Sequence, residues 1–223
     1  MHVQKTSLNG NINLGLYAYA NDEYCLVGVD MQQERIELLE KVLKVPVHKV
    51  SIAGTSLLGV FLAGNKNCLL VPKITFDHEL QTLKKLGIKY HIIDTKMTAL
   101  GNNILCNDKG ALINPDFNKT EEQEIKDALK VQVKKSKIAN LPIVGAVAAF
   151  NKKGILLHRD AEDFEIDFVE NTLGLKVTLG TVNFGSPYIK SGVIVNSNGF
   201  LIGEVSGGPE IQNADHAFGF LDE

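Results

Sequence analysis

Three stretches of this 223-residue chain carry the residue types of familiar chemistries, and each fails on spacing. Gly54-Thr55-Ser56-Leu57-Leu58-Gly59 begins as a phosphate-binding loop does, but Val60 and Phe61 stand where such a loop needs Lys and then Ser or Thr. His158-Arg159-Asp160 has the order of a kinase catalytic loop, yet no Gly-rich loop accompanies it and Glu165 holds the place of the metal-binding Asn. Asn118-Lys119-Thr120 is a formal glycosylation acceptor that reads better as a helix start. Cys25, Cys68 and Cys106 are odd in number, lack CxxC spacing and sit in apolar settings such as Tyr24-Cys25-Leu26, where free cysteine behaves as a small hydrophobe. The six histidines have no paired ligand spacing. The reading expects no metal, no cofactor and no catalytic residue.

Charge and composition narrow the partners. Lys plus Arg total 23 against 26 Asp plus Glu, a net charge of -3, so the chain lacks the basic excess that drives binding through nucleic-acid phosphates. Hydrophobic residues at 44% are enough to build a core. The longest apolar run, within Ile143 to Phe150 and broken by Gly145, is far short of the roughly 20 residues that cross a bilayer. The opening residues from Met1 to Thr6 lead into Asn and Gly rather than an apolar leader, so a reduced, cytoplasmic setting is expected.

A repeat organises the rest. Gly15 precedes Asn21 by six residues, as Gly59 precedes Asn65, Gly101 Asn107 and Gly145 Asn151; Asn196 continues the series, with asparagine intervals of 44, 42, 44 and 45. Asn107-Asp108-Lys109-Gly110, Asn151-Lys152-Lys153-Gly154 and Asn196-Ser197-Asn198-Gly199 have the signature of type I turns between two strands. Before each turn lies an apolar stretch such as Ile143 to Phe150, and after it another such as Ile155-Leu156-Leu157. Thr120-Glu121-Glu122-Gln123 reads as a capping box, with Asp30, Asp77 and Asp160 or Asp163 as other helix starts, and Gly87 and Gly174 as helix ends. Alternation at Val131 and Val133, and at Leu175, Val177 and Leu179, marks a third strand.

The unit is therefore strand, turn, strand, helix, strand; the fifth has only Pro209 to Ala217 as a short helix candidate. Units with one apolar face each must pack on one another, and closing them into a ring removes the exposed ends. The prediction is an α+β fold: one domain, residues 1–223, of five blades with pseudo-fivefold symmetry.

That architecture is the pentein fold, and several strings on the same period resemble translation initiation factor 6 of archaea and eukaryotes. They are Ser51 to Gly59, Leu69-Leu70-Val71-Pro72, Thr98-Ala99-Leu100-Gly101-Asn102, Cys106-Asn107-Asp108, Gly180 to Ser186 and Gly208-Pro209-Glu210. The resemblance implies binding to the large ribosomal subunit, chiefly through a ribosomal protein on its intersubunit face, so that the small subunit is blocked from joining. It also implies a release protein and a GTPase as further partners, little direct RNA contact and no catalysis; a monomer is expected. Lys190 stands at the fifth anchor in place of Gly, and Ser206-Gly207 where relatives more often have a Thr pair. The sequence ends at Glu223 without the Ser/Thr-bearing tail of eukaryotic members, which favours the archaeal type.

In a ring the residues just after the anchors, Leu16, Val60, Asn102 and Ala146, share one end, which in this family carries the ribosomal-protein contact. Asn102 is the foremost candidate, with Asn183 and Ser186 added from the matched strings. Three have a structural alternative: Asn102 capping or turning a strand, Leu16 and Val60 as core. The turn asparagines are read as structural. Two other functions stay open, a guanidino-modifying enzyme of the pentein kind and a generic protein-binding scaffold. The enzyme reading lacks a nucleophile, because those enzymes carry Cys near the C-terminus and no Cys follows Cys106 here.

Overall fold

The turn asparagines do join short strand pairs, in a computed structural model that describes residues 2–221. The chain begins with β1 (Val3–Thr6), whose partner strand comes last. The first unit is β2 (Ala18–Ala20), β3 (Cys25–Gly28), helix α1 (Gln33–Leu43) and β4 (Val47–Val50). Next come α2 (Leu58–Phe61), β5 (Ala63–Asn65), β6 (Cys68–Pro72), α3 (Asp77–Lys85) and β7 (Tyr90–Ile93). The third unit holds α4 (Leu100–Asn103), β8 (Ile104–Cys106), β9 (Gly110–Ile113), α5 (Lys119–Leu129) and β10 (Gln132–Lys135). The fourth holds β11 (Ala148–Phe150), β12 (Gly154–His158), α6 (Asp163–Leu173) and β13 (Lys176–Gly180). The fifth holds α7 (Ile189–Gly192), β14 (Val193–Val195), β15 (Phe200–Gly203) and α8 (Gly208–Ala217), and β1 is its third strand, parallel to β15 from Val3 opposite Phe200 to Thr6 opposite Gly203. Every sheet has three strands, an antiparallel hairpin and a parallel outer strand, which in the first four units is reached by a helical crossover and in the fifth is β1.

Each unit has its own core, and its neighbour's middle strand completes it. Leu26 of β3 packs with the second unit's Leu69, Val71 and Leu83, while its neighbours Cys25 and Val27 face α1. Leu70, Leu112, Leu156 and Leu201 do the same on the third, fourth, fifth and first units, so alternate faces of each middle strand feed two cores. The last of these contacts brings the fifth unit onto the first and completes a ring. Asparagine side chains staple the same neighbours. Nδ2 of Asn65, Asn107, Asn151 and Asn196 donates to the last-turn carbonyls of the next unit's helix at Leu129, Leu173, Phe218 and Leu43. Each of these caps carbonyls that a helix end leaves without partners. The turn asparagines are structural for that reason.

Several local expectations need correction. Ile143 to Phe150 is not one strand: Val144 to Val147 form a turn and β11 has three residues. Equivalent short helices carry the other anchors, at Leu14–Leu16, α2, α4 and α7. Helix α5 starts two residues earlier than the box at Thr120 implied, with Asn118 as its cap: Asn118 Oδ1 accepts from Thr120 N and Glu121 N, and Glu121 Oε2 accepts from Asn118 N. Asp77 and Asp163 are the first residues of α3 and α6, as expected, whereas α1 starts at Gln33, three residues after Asp30; the caps are Gln32, Phe76 and Glu162. Gly87 and Gly174 take the left-handed conformation at helix ends as expected. The fifth helix is a full ten residues.

Candidate functional site

The anchors explain their own glycines. A Cβ at Gly15 would overlap the Lys190 carbonyl oxygen, one at Gly59 that of Gly15, one at Gly101 that of Gly59, and one at Gly145 that of Gly101. The five turns thus converge on the axis, backbone against backbone, and Gly145 N donates to Asn102 O at 2.9 Å across one such seam. At the fifth seam Lys190 N donates to Ala146 O at 3.2 Å.

The end surface they form is a bowl of about 440 Å³, lined among others by Leu16, Asn102, Ala146, Ser186, Tyr188 and Lys190. Four of the six residues expected from the sequence are therefore together. Asn102 uses only its backbone, N donating to Ala99 O and O accepting from Gly145, in the turn of α4 that leads into β8; among the described residues its side-chain amide has no protein partner. Val60 lies on α2, part-exposed and outside the bowl. Asn183 is spent internally: Nδ2 donates to Ile12 O at 3.1 Å, and its backbone N donates to Ser206 Oγ at 2.9 Å. It ties the loop before α7 to the first unit.

Sequence reasoning missed Tyr188 in the bowl's lining and the exposed Phe184 in the loop that leads to it. Four loops close with the same small bridge, Leu8 to Asn11, Ile52 to Thr55, Ile138 to Leu141 and Val182 to Ser186, and the last holds one residue more. That loop includes Phe184, 88% exposed and held at a φ of 63°, where non-glycine residues are strained. Glu210 fixes it by accepting from Phe184 N, Gly185 N and Gly207 N, and from Thr181 Oγ1 at 2.7 Å. Burial pushes the Glu210 carboxyl up, but these donors outweigh it and hold the group below its ordinary value. Tyr188, 44% exposed, follows in the same loop. The extra residue relative to the other four-residue closures was the available signal.

The rejected motifs have structural occupations. The amides of Ala53 and Gly54, which would cradle a phosphate, already bind the Glu79 carboxylate at 2.8 and 2.9 Å. His158 is buried, and its Nδ1 accepts from Asp160 N at 3.1 Å to close a turn; burial lowers its pKa. All three cysteines are buried and unpaired with one another, and desolvation pushes Cys25 and Cys106 up to about 12 and Cys68 above its ordinary value. Such thiols are poor nucleophiles. No described helix is long and apolar enough to cross a membrane.

In overall arrangement the five three-stranded sheets and their helices define an α+β pentein. The same fold is seen in the N-terminal domain of the arginine dihydrolase ArgZ, with a TM-score of 0.51 at 12% identity over 80% of this chain and 69% of that one. A dimethylarginine dimethylaminohydrolase gives 0.50 at 11% identity over 75% and 68%. Sequence resolves the family. Residues 3–217 match the eIF-6 family, and the chain belongs to it. It is 40% identical to translation initiation factor 6 of Saccharolobus solfataricus over 98% of this chain and 100% of that one, and 37% identical to its Pyrococcus abyssi counterpart over 99% and 100%. These relatives are archaeal translation initiation factors.

Proposed function

We propose that the chain binds the large ribosomal subunit with its anchor-glycine end, docking on a ribosomal protein of the intersubunit face, and so keeps the small subunit from joining. The observation that carries this reading is the bowl, where Leu16, Asn102, Ala146, Ser186 and Tyr188 surround the axis, with the exposed Phe184 two residues before Ser186 in the same loop. Its chemistry suits protein rather than RNA. The lining is neutral apart from Lys190, whose ammonium already donates to Gly101 O, so no cluster of cations is offered to phosphates. Small and aliphatic residues with a tyrosine among them are the composition of a protein contact with a few anchoring side chains.

Blocking needs only bulk. A compact chain of this length has a radius of gyration of roughly 17 Å. Docking that covers about 800 Å² is a standard footprint, and the described surface totals 9850 Å². A release protein and a GTPase would then act on the bound complex. The pentein enzymes act on arginine-type compounds, but the buried, high-pKa thiols here speak against a cysteine nucleophile.

The test is sedimentation of the chain with isolated large subunits, small subunits and their mixture at two salt concentrations. Co-migration with large subunits alone, with loss of joined ribosomes and little salt dependence, is expected. A chain that stays at the top of every gradient, or moves with small subunits, overturns the proposal.

A further inference from the structure

The inner strands β2, β5, β8, β11 and β14 enclose a second cavity on the axis, about 500 Å³, opening at the end opposite the bowl. Its wall is small and apolar: Ala18, Leu62, Ala63, Ile104, Ala148 and Val193. Its mouth is made by the asparagine turns, where charges already satisfy one another. Lys152 Nζ lies 2.8 Å from Asp22 Oδ2, Lys66 Nζ 3.9 Å from Asp108 Oδ2, and Lys109 Nζ donates to Gly174 O at 2.9 Å. Glu23 is exposed at the rim.

Lys190 closes the other end. It lines both this cavity and the bowl, and so stands as the partition between them. Its Nζ donates to Gly101 O at 2.6 Å, from the fifth unit to the third, a bond for which Gly101 leaves room by having no Cβ. An ammonium has three donors, and this one has a single protein acceptor among the described residues and no carboxylate paired with it. Desolvation brings its pKa down to about 8, and Cys106 beside it only partly offsets that. A cation in an apolar chamber without a counter-ion is costly, and here the space for a counter-ion is present.

We propose that the axial cavity binds a small organic monocarboxylate, its carboxylate paired with the Lys190 ammonium and its apolar body lying against the alanine and valine side chains of the inner strands. One cation matches one negative charge; a phosphate would leave a second charge unpaired in an apolar wall. A cationic or guanidino ligand has no free carboxylate to meet inside the chamber.

The experiment titrates the full chain with acetate, hexanoate, phenylacetate and, as the control of sign, hexylammonium. Binding is followed by calorimetry and by the Lys190 side-chain resonance, assigned from Lys190→Met. Hexanoate is expected to saturate at least about tenfold more tightly than acetate, because each buried methylene adds affinity. It should raise the Lys190 pKa from about 8. Because only the ammonium pairs, affinity should fall about 30-fold from pH 7 to pH 9.5. Over that range Cys106, at about 12, and Tyr19, held well above its ordinary value by burial, stay neutral. Lys190→Met should abolish binding. The proposal is overturned if all three acids at about 50 mM leave the Lys190 titration unchanged, if they bind Lys190→Met equally, or if hexylammonium binds as well as hexanoate. Should Lys190→Met fail to fold, the resonance is assigned in the native chain by through-bond correlation from the Lys190 backbone. The pH dependence and the control of sign, measured on that chain, then decide.

Discussion

Asn196 Nδ2 donates to the carbonyl oxygen of Leu43 at 2.8 Å, so the fifth unit's turn holds the end of the first unit's helix across 153 residues of sequence. The same amide reaches Asn21 O at 3.1 Å, while Asn196 Oδ1 accepts from Asn198 N and Gly199 N. The side chain of Asn21, at the equivalent position of the first unit, makes only local bonds among the described residues, its Oδ1 accepting from Glu23 N and Tyr24 N. Asn196→Ala should therefore cost about 2–3 kcal/mol and Asn21→Ala about 1 kcal/mol. Urea unfolding gives both values, and equal losses would deny the staple its role in closing the ring.

Gly59→Ala should be far worse than an ordinary glycine replacement, because the new methyl overlaps the Gly15 carbonyl on the axis. A loss above about 3 kcal/mol, or failure to fold, is expected from a clash that backbone cannot relieve. Gly207→Ala is the control, since a Cβ there meets only Pro209 at 3.7 Å. Similar unfolding midpoints for the two variants would contradict the tight convergence of the anchors.

Glu79 is 2% exposed and ties α3 to the loop before α2. Burial alone raises its pKa, but the Ser51 hydroxyl and the amides of Gly54, Phe76 and Ala53 outweigh this and lower it. A carboxylate depressed in the folded state gives stability that is complete above its ordinary pKa and is lost as pH falls through the folded value. Glu79→Gln should thus be less stable than the parent by about 1–3 kcal/mol at pH 7, and the gap should shrink as pH drops below 4.5. A gap that stays constant to pH 3 would mean the charge is irrelevant.

At the bowl, stability and docking should separate. Asn102→Ser removes a side-chain amide with no internal partner, so the melting temperature should hold while large-subunit affinity falls roughly tenfold. Phe184→Gly should raise stability by relieving a positive φ, by about 1 kcal/mol, yet weaken docking by about 2 kcal/mol through loss of an exposed aromatic anchor. Parallel changes in stability and affinity for either variant would remove the case for this end as the docking surface.

What sequence reveals here depends on whether a residue's reason for being is local. The period is legible because Asn and Gly in the turns are demanded by turn stereochemistry, and the same intervals recur for Leu26, Leu70, Leu112, Leu156 and Leu201. Helix starts are harder, because Phe76, Glu162 and Gly207 have no capping side chain; a Glu three positions on supplies the acceptor instead. The four-residue helices at the anchors have no propensity pattern of their own and exist through packing on the axis. Asn183 shows the limit for the site: its partner Ile12 lies 171 residues away, and nothing near it in sequence announces that its amide is occupied.

The parallel pairing of Val3–Thr6 with Phe200–Gly203 also sets an order of events. On a chain made from its N-terminus, β1 emerges first and yet has no sheet to join until β15 exists, nearly 200 residues later. The four units between can form in turn, each laying its helix against the strand before it, while β1 waits unpaired. Its closure is the longest-range strand pairing of the ring and carries the largest loop cost of any pairing, which makes it the natural last step and the slowest one.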